Sequence, residues 1–135
     1  YSSVLYDHKL IIIVCDNGGH MVINRLQLAK GGKEYICNLR AARATNLQFV
    51  NFESHAKSMG ANAETVSSTS ELEAAFKRAK DSDKTYVIAI KTHGYEWLEG
   101  TAFWESPTLQ DPITEDNKKA LDDFETGKSK QRKGV

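Results

Sequence analysis

Apolar residues along the chain follow two different rhythms, and each marks a kind of element. Lys9 to Cys15 (KLIIIVC) is an unbroken apolar, β-branched run closed by Asp16-Asn17-Gly18-Gly19. Such a run predicts a strand buried on both faces, as in a parallel sheet. From Met21 to Ala29 the apolar positions Val22, Leu26 and Ala29 recur at helical spacing. No period survives from Lys30 to Gln48, which opens on Gly31-Gly32. Long connections inside compact domains are often functional. Helical spacing returns after Asn51, a candidate N-cap, with Phe52, His55, Ala56 and Met59 on one face and Gly60 at the end. A short strand is expected near Glu64 to Val66. Ser68 and Glu71 then have the spacing of a capping box, ahead of an apolar stripe at Leu72, Ala75, Phe76 and Ala79. Asp81-Ser82-Asp83 breaks that helix, and Thr85 to Ile90 (TYVIAI) reads as another strand.

Strands alternating with helices predict a three-layer α/β/α fold with a mainly parallel sheet. After Thr92 the pattern changes. Tyr95, Trp97, Phe103 and Trp104 lie in an irregular stretch with both prolines, Pro107 and Pro112, nearby. Thr114 to Lys130 is helical in pattern, with Glu115 and Asp116 early and Lys128 and Lys130 late, the order that suits the helix dipole. We therefore expect residues 1–92 to form the core α/β portion and residues 93–135 an extension of the same domain. The opening Tyr1 to Asp7 reads as the last turns of a helix running into a strand, so the chain is expected to begin part-way through a domain.

At 135 residues, with 40% hydrophobic and 27% charged positions, the chain has the composition of one globular domain with a modest core. Its 18 basic residues balance 18 acidic ones, which gives no electrostatic argument for a nucleic-acid or membrane partner. The longest apolar run, Leu10 to Cys15, is far too short to span a bilayer. No basic-then-apolar leader opens the chain, and Cys15 and Cys37 are not spaced as a metal-binding pair. A cytoplasmic protein with reduced thiols is the expectation.

Candidate chemistry concentrates where the first strand ends, at Asp16-Asn17-Gly18-Gly19-His20-Met21. In open α/β sheets, ligands sit beyond the carboxyl ends of strands. A carboxamide oxygen and main-chain carbonyls suit a hard cation such as magnesium, and consecutive amides at a helix start suit a diphosphate. On chemistry alone the same tetrapeptide is also simply a good turn, and both readings stand.

The segment KLIIIVCDNGGHMVINRLQ resembles the second half of the signature of thiamine-diphosphate-dependent enzymes, with Asp16-Asn17 as its closing pair. FVNFESHAKSMGA (49–61) and SSTSELEAAFKRAK followed by TYVIAIK are similar to later elements of the same family. INRLQ (23–27), the SMGA segment and HGYEW…FWESP resemble the trihydroxycyclohexanedione hydrolases of myo-inositol catabolism within it. The resemblance implies a partial thiamine-diphosphate-binding fold. It also implies magnesium bound by the Asn17 side-chain oxygen and the Gly19 carbonyl, with Gly18 permitting the tight path. The main-chain amides of His20 and Met21 would meet the cofactor diphosphate, while Asp16 would orient the turn. The family's first metal ligand, the Asp of Gly-Asp-Gly, is expected upstream of Tyr1, and its cofactor-activating glutamate on a separate domain of a partner subunit. No catalytic residue is expected in this chain, which is predicted to be inactive alone. The implied partners are a small cyclic dione substrate, the remaining domains of the same enzyme and a second subunit.

Other residues carry blander readings. His55 is expected to be packed on its helix, and His8 to lie at a surface turn. His93 opens the irregular aromatic segment, where it could face substrate in the full enzyme, although nothing in its spacing demands that. The aromatic stretch is expected to serve an interface or core, and the basic tail Lys128, Lys130, Arg132 and Lys133 to be a solvated helix end. Two alternatives remain beside the dione hydrolase: an acetolactate-synthase-like enzyme acting on pyruvate, and a non-catalytic α/β binding module.

Overall fold

The computed structural model describes residues 1–42, 46–96 and 109–131. Trp97, Phe103, Trp104, Pro107, Arg132 and Lys133 lie outside that set. The chain divides into two compact units, Tyr1–Gly18 with Ala44–Gly94, and Gly19–Arg43 with Tyr95–Val135.

The first unit holds the sheet. Its elements are α1 (Ser2–Leu5), β1 (Ile11–Asp16), α3 (Phe52–Ser58), β2 (Asn62–Val66), α4 (Thr69–Asp81) and β3 (Tyr86–Lys91), while α2 (Met21–Ala29) and α5 (Glu115–Ser129) belong to the second unit. The three strands run parallel in the order β1-β3-β2. Ile13, Ile88 and Glu64 share one register position, and Ile12, Val87 and Ala63 the adjacent one. Because successive side chains alternate faces, two cores form on opposite sides of the sheet. One joins Ala56, Ala61, Ala63 and Val87, with Val4 and Val14 against them. The other joins Val66, Ala75, Ala79 and Ile88, with Ile11, Leu72, Tyr86 and Ile90 against them. With α3 on one face and α4 on the other, the expected three-layer parallel α/β architecture is present.

Local signals account for the helix starts. The Asn51 side chain accepts the Ser54 amide at 2.8 Å to cap α3, and Gly60 follows that helix with φ 84°. The Ser68 hydroxyl accepts the Glu71 amide at 3.2 Å, as a capping box requires. The Glu71 carboxylate, however, reaches one residue further back, accepting the Ser67 amide at 2.7 Å and its hydroxyl at 2.8 Å. On the outer surface Arg78 clamps Glu64 through Nε and one terminal nitrogen, at 3.0 and 2.5 Å, and the Tyr86 hydroxyl donates to Glu64 at 2.6 Å.

Two expectations about burial need correction. β1 is not buried on both faces: Ile12 is 38% and Ile13 43% exposed. Among the described residues β1 pairs only with β3, and the helices of this unit pack chiefly over the other two strands. His55 is exposed rather than packed, because the buried face of α3 is centred on Ala56.

In the second unit α2 occupies the expected span, but its inward face is rotated from the predicted stripe. Met21 and Asn24 are buried, whereas Val22 is 68% exposed. Asn117, at the first turn of α5, secures the end of α2 by donating to the Gly31 carbonyl at 3.0 Å and the Lys30 carbonyl at 3.4 Å. Gly31, at φ 75°, has no room for a Cβ, which would strike the Asp116 carbonyl and the Asn117 nitrogen. The Lys30 ammonium lies 5.0 Å from the Phe124 ring centre, a cation–π distance.

Candidate functional site at the carboxyl end of the sheet

The predicted corner begins in the first unit. Asp16 is the last residue of β1, in register with Lys91, and its carbonyl accepts the Thr92 amide at 2.9 Å. Its side chain folds back so that Oδ1 accepts the Gly18 amide at 3.0 Å, an Asx turn. Gly18 has φ 81°, the left-handed conformation that a side chain would strain, and Asn17 lies half-buried between the two. Asp16 thus orients the turn. A cleft of about 310 Å³ opens at this end of the sheet, lined by Asp16, Phe49, Asn51, Phe52, Thr65 and Lys91 among others. Thr65 donates to Glu53 at 2.8 Å beside it, and Lys57 does so at 2.6 Å. These contacts, Lys57 first, hold the Glu53 carboxyl below its ordinary range.

The corner continues in the second unit. Gly19 bridges Asn38 in antiparallel fashion, and a Cβ there would collide with the Cys37 carbonyl oxygen and crowd the Leu39 nitrogen at 3.2 Å. Only glycine allows so close a backbone approach. The His20 amide donates to the Cys37 carbonyl at 2.7 Å, so this candidate diphosphate donor is already engaged. His20 occupies the N-cap of α2 without capping it by its side chain, and Met21, buried, is the first helical residue.

Sequence reasoning passed over the polar cluster beside this segment. Asn24 and Asn38 are buried, and both direct side-chain nitrogens to the exposed carboxylate of Glu34, at 2.9 and 3.3 Å. Asn38 also donates to the Tyr95 hydroxyl at 2.6 Å and accepts the Arg40 amide at 3.0 Å. Hydrogen bonds from Asn24, Tyr95 and Asn38 keep the Glu34 carboxyl below its ordinary range, and the bond to Glu34 pushes the Tyr95 phenol up. The available signal was a lone asparagine one turn after Met21, on a helix whose other polar residues are longer. His8, His55 and His93 are exposed and distributed along the first unit, Cys15 is exposed, and Cys37 is half-buried.

This geometry can be set against known proteins. Residues 2–90 match the family described as thiamine pyrophosphate enzyme, C-terminal TPP binding domain. The chain belongs to that family. Among curated relatives, the 3D-(3,5/4)-trihydroxycyclohexane-1,2-dione hydrolase of Halalkalibacterium halodurans is 34% identical over 101 residues, covering 70% of this chain and 16% of that protein. The protein of the same name from Bacillus licheniformis is 31% identical over 109 residues, 75% of this chain and 17% of that protein. The one from Lacticaseibacillus casei is 29% identical over 132 residues, 93% of this chain and 20% of that protein. The chain therefore spans a fifth or less of the length of these relatives. No solved structure matches it.

As a thiamine pyrophosphate-binding domain, the chain carries the right kinds of atoms at its corner. The Asn17 carboxamide oxygen and the Gly19 carbonyl are hard, neutral oxygen donors of the type magnesium accepts. Left-handed Gly18 and side-chain-free Gly19 give the backbone the close path that such a site needs. Both oxygen donors are neutral, so a magnesium ion held there would also call for a charged ligand.

Proposed function

We propose that the full-length protein is a thiamine-diphosphate-dependent hydrolase that opens the ring of a trihydroxylated cyclohexane-1,2-dione in myo-inositol catabolism. This chain would supply part of the magnesium and diphosphate anchor. Asn17 offers its side-chain oxygen and Gly19 its carbonyl to Mg2+, and Gly18 lets the turn close. Met21 presents its main-chain amide to the diphosphate at the start of α2. His20 can join it only by releasing the Cys37 carbonyl. Bound thiamine diphosphate supplies an electron sink for cleavage between two carbonyl carbons. The balance requires no redox partner: water adds hydroxyl to one carbonyl carbon and a proton to the other. The carbon–carbon bond between them breaks, leaving a carboxylic acid and an aldehyde.

The observation that carries this reading is the corner itself: a parallel strand ending in an Asx turn and two consecutive glycines, within a chain that aligns along 93% of its length with a protein named as such a hydrolase. A cytoplasmic enzyme working as at least a dimer, with its cofactor-activating glutamate on another domain, completes the proposal. The isolated chain would be inactive. The test is to assay the full-length protein with the trihydroxylated dione and with pyruvate, with and without Asn17→Ala. Ring opening that needs magnesium at least about tenfold higher in Asn17→Ala supports the proposal. Pyruvate consumption alone would favour the acetolactate-synthase-like alternative. Turnover by the isolated 135-residue chain, or an unchanged magnesium requirement, would overturn the anchor assignment.

A further inference from the structure

The turn that ends β1 contains a chemically reactive pair. Asn17 is the only asparagine of the chain that is followed by glycine. An asparagine side chain cyclises most readily before glycine, which has no side chain to hinder the attack. The Gly18 nitrogen gives up its proton to solvent and bonds to Cγ of Asn17. The Cγ–Nδ2 bond breaks, and ammonia leaves with a proton from water. Water then opens the five-membered imide at one of its two carbonyls. Cleavage of the new N–Cγ bond leaves an aspartate, and cleavage of the main-chain bond leaves an isoaspartate. The sum is amide plus water giving acid plus ammonia, with no other reactant.

The structure places an obstacle at the first step. The Gly18 amide donates to Asp16 Oδ1 at 3.0 Å, so the proton that must leave is held in a bond to a carboxylate. Its removal would break that bond and set an anionic nitrogen against the carboxylate, a like-charge contact at close range. Crowding supplies no comparable restraint, because a Cβ built at Gly18 would meet no atom within 4 Å among the described residues. Burial does not supply it either, since Asn17 is only half-buried and water reaches the turn. The Asp16 bond is left as the brake.

We infer that Asn17 is a site of spontaneous deamidation and that Asp16, by holding the Gly18 amide, is the residue that slows it. The product carries a new negative charge beside Asp16. As isoaspartate it also adds a carbon to the main chain of a turn that depends on Gly18 at φ 81°. Under the anchor proposed above, the reaction would replace a neutral oxygen donor by a carboxylate where a diphosphate must approach. The inference itself does not rest on that function, and either can fail without the other.

The experiment incubates the full-length protein in neutral buffer with a chelator, so that no cation engages Asn17, beside the free peptide Val14–Met21. Peptide mass spectrometry reads the exchange of the Asn17 amide nitrogen for oxygen. Residue-resolved hydrogen exchange reads the Gly18 amide, whose exchange begins with removal of the same proton. Wild-type Asn17 is expected to deamidate at least about tenfold more slowly than the peptide. Asp16→Ala should speed both deamidation and Gly18 exchange at least about tenfold. The His20 amide, bonded to the Cys37 carbonyl, should keep its exchange rate in that variant. If His20 exchange rises too, the fold has loosened, and Asp16→Asn becomes the deciding variant. It keeps the shape and gives up the charge, with an expected gain of about threefold in both readouts. Deamidation of the folded wild type at the peptide's rate would overturn the inference. So would no acceleration in the deciding variant, or faster deamidation without faster Gly18 exchange.

Discussion

Truncating Ile88 to alanine tests the sheet that carries the candidate site. Ile88 is completely buried on the central strand, and the helix side chains opposite it are Ala75 and Ala79, also fully buried. The substitution removes roughly three methylene equivalents, worth about 0.8 kcal/mol each in lost burial, or about 2.4 kcal/mol in all. A cavity cost adds to this, because methyl side chains on α4 are too short to swing into the space. We therefore expect a total of about 3–4 kcal/mol, near the middle of the usual range for such truncations. With a urea slope of about 1.5 kcal/mol per molar, the unfolding midpoint should drop by about 2–2.7 M. Val22→Ala on α2 is the comparison, since Val22 is 68% exposed and should cost under about 1 kcal/mol. Urea unfolding of the 135-residue chain followed by circular dichroism reads both. An Ile88→Ala midpoint within about 0.5 M of wild type, or no lower than that of Val22→Ala, would refute the placement of Ile88 at the core centre.

Two further outcomes follow from particular contacts. Gly19→Ala must push the Cys37 carbonyl away, at a cost on the order of 1–3 kcal/mol. The His20 amide, which donates to that carbonyl, should then exchange with solvent at least tenfold faster in a hydrogen-exchange experiment, roughly the effect of 1.4 kcal/mol; unchanged protection would count against the bridge. Glu53, Glu64 and Glu71 all have folded-state pKa values below the ordinary 4.5, held there first by Lys57, Arg78 and Ser67 respectively. A depressed carboxylate pKa contributes stability that is present above the unfolded value and lost as pH falls through the folded one. The thermal midpoint should thus decline on acidification below about pH 4.5, and Arg78→Gln should make that decline shallower; a midpoint that rises on acidification would contradict the sign.

Much of this protein was legible along the chain because the signals involved are local. The Asn51 cap, the Ser68 cap and the span of α2 depend on residues three or four positions apart, where backbone geometry alone sets the contacts. The parallel alternation of strands and helices was readable for the same reason, as was the polar corner Asp16 to Met21 that ends the first strand. Which face of an element is buried is a different matter, decided by what lies opposite. Ile12 and Ile13 look like core residues in sequence, yet among the described residues their strand has one neighbour only and partial cover. Val22 and His55 sit on predicted inward stripes yet are exposed; Ala56, on the same stripe as His55, is buried as expected, whereas Asn24, outside its helix's predicted stripe, is turned inward. The His20 amide is spoken for by Cys37, and Asn38 reaches Tyr95 across 57 positions of sequence. No periodicity encodes such pairings, because they arise only when separate segments compete for the same buried donors and acceptors.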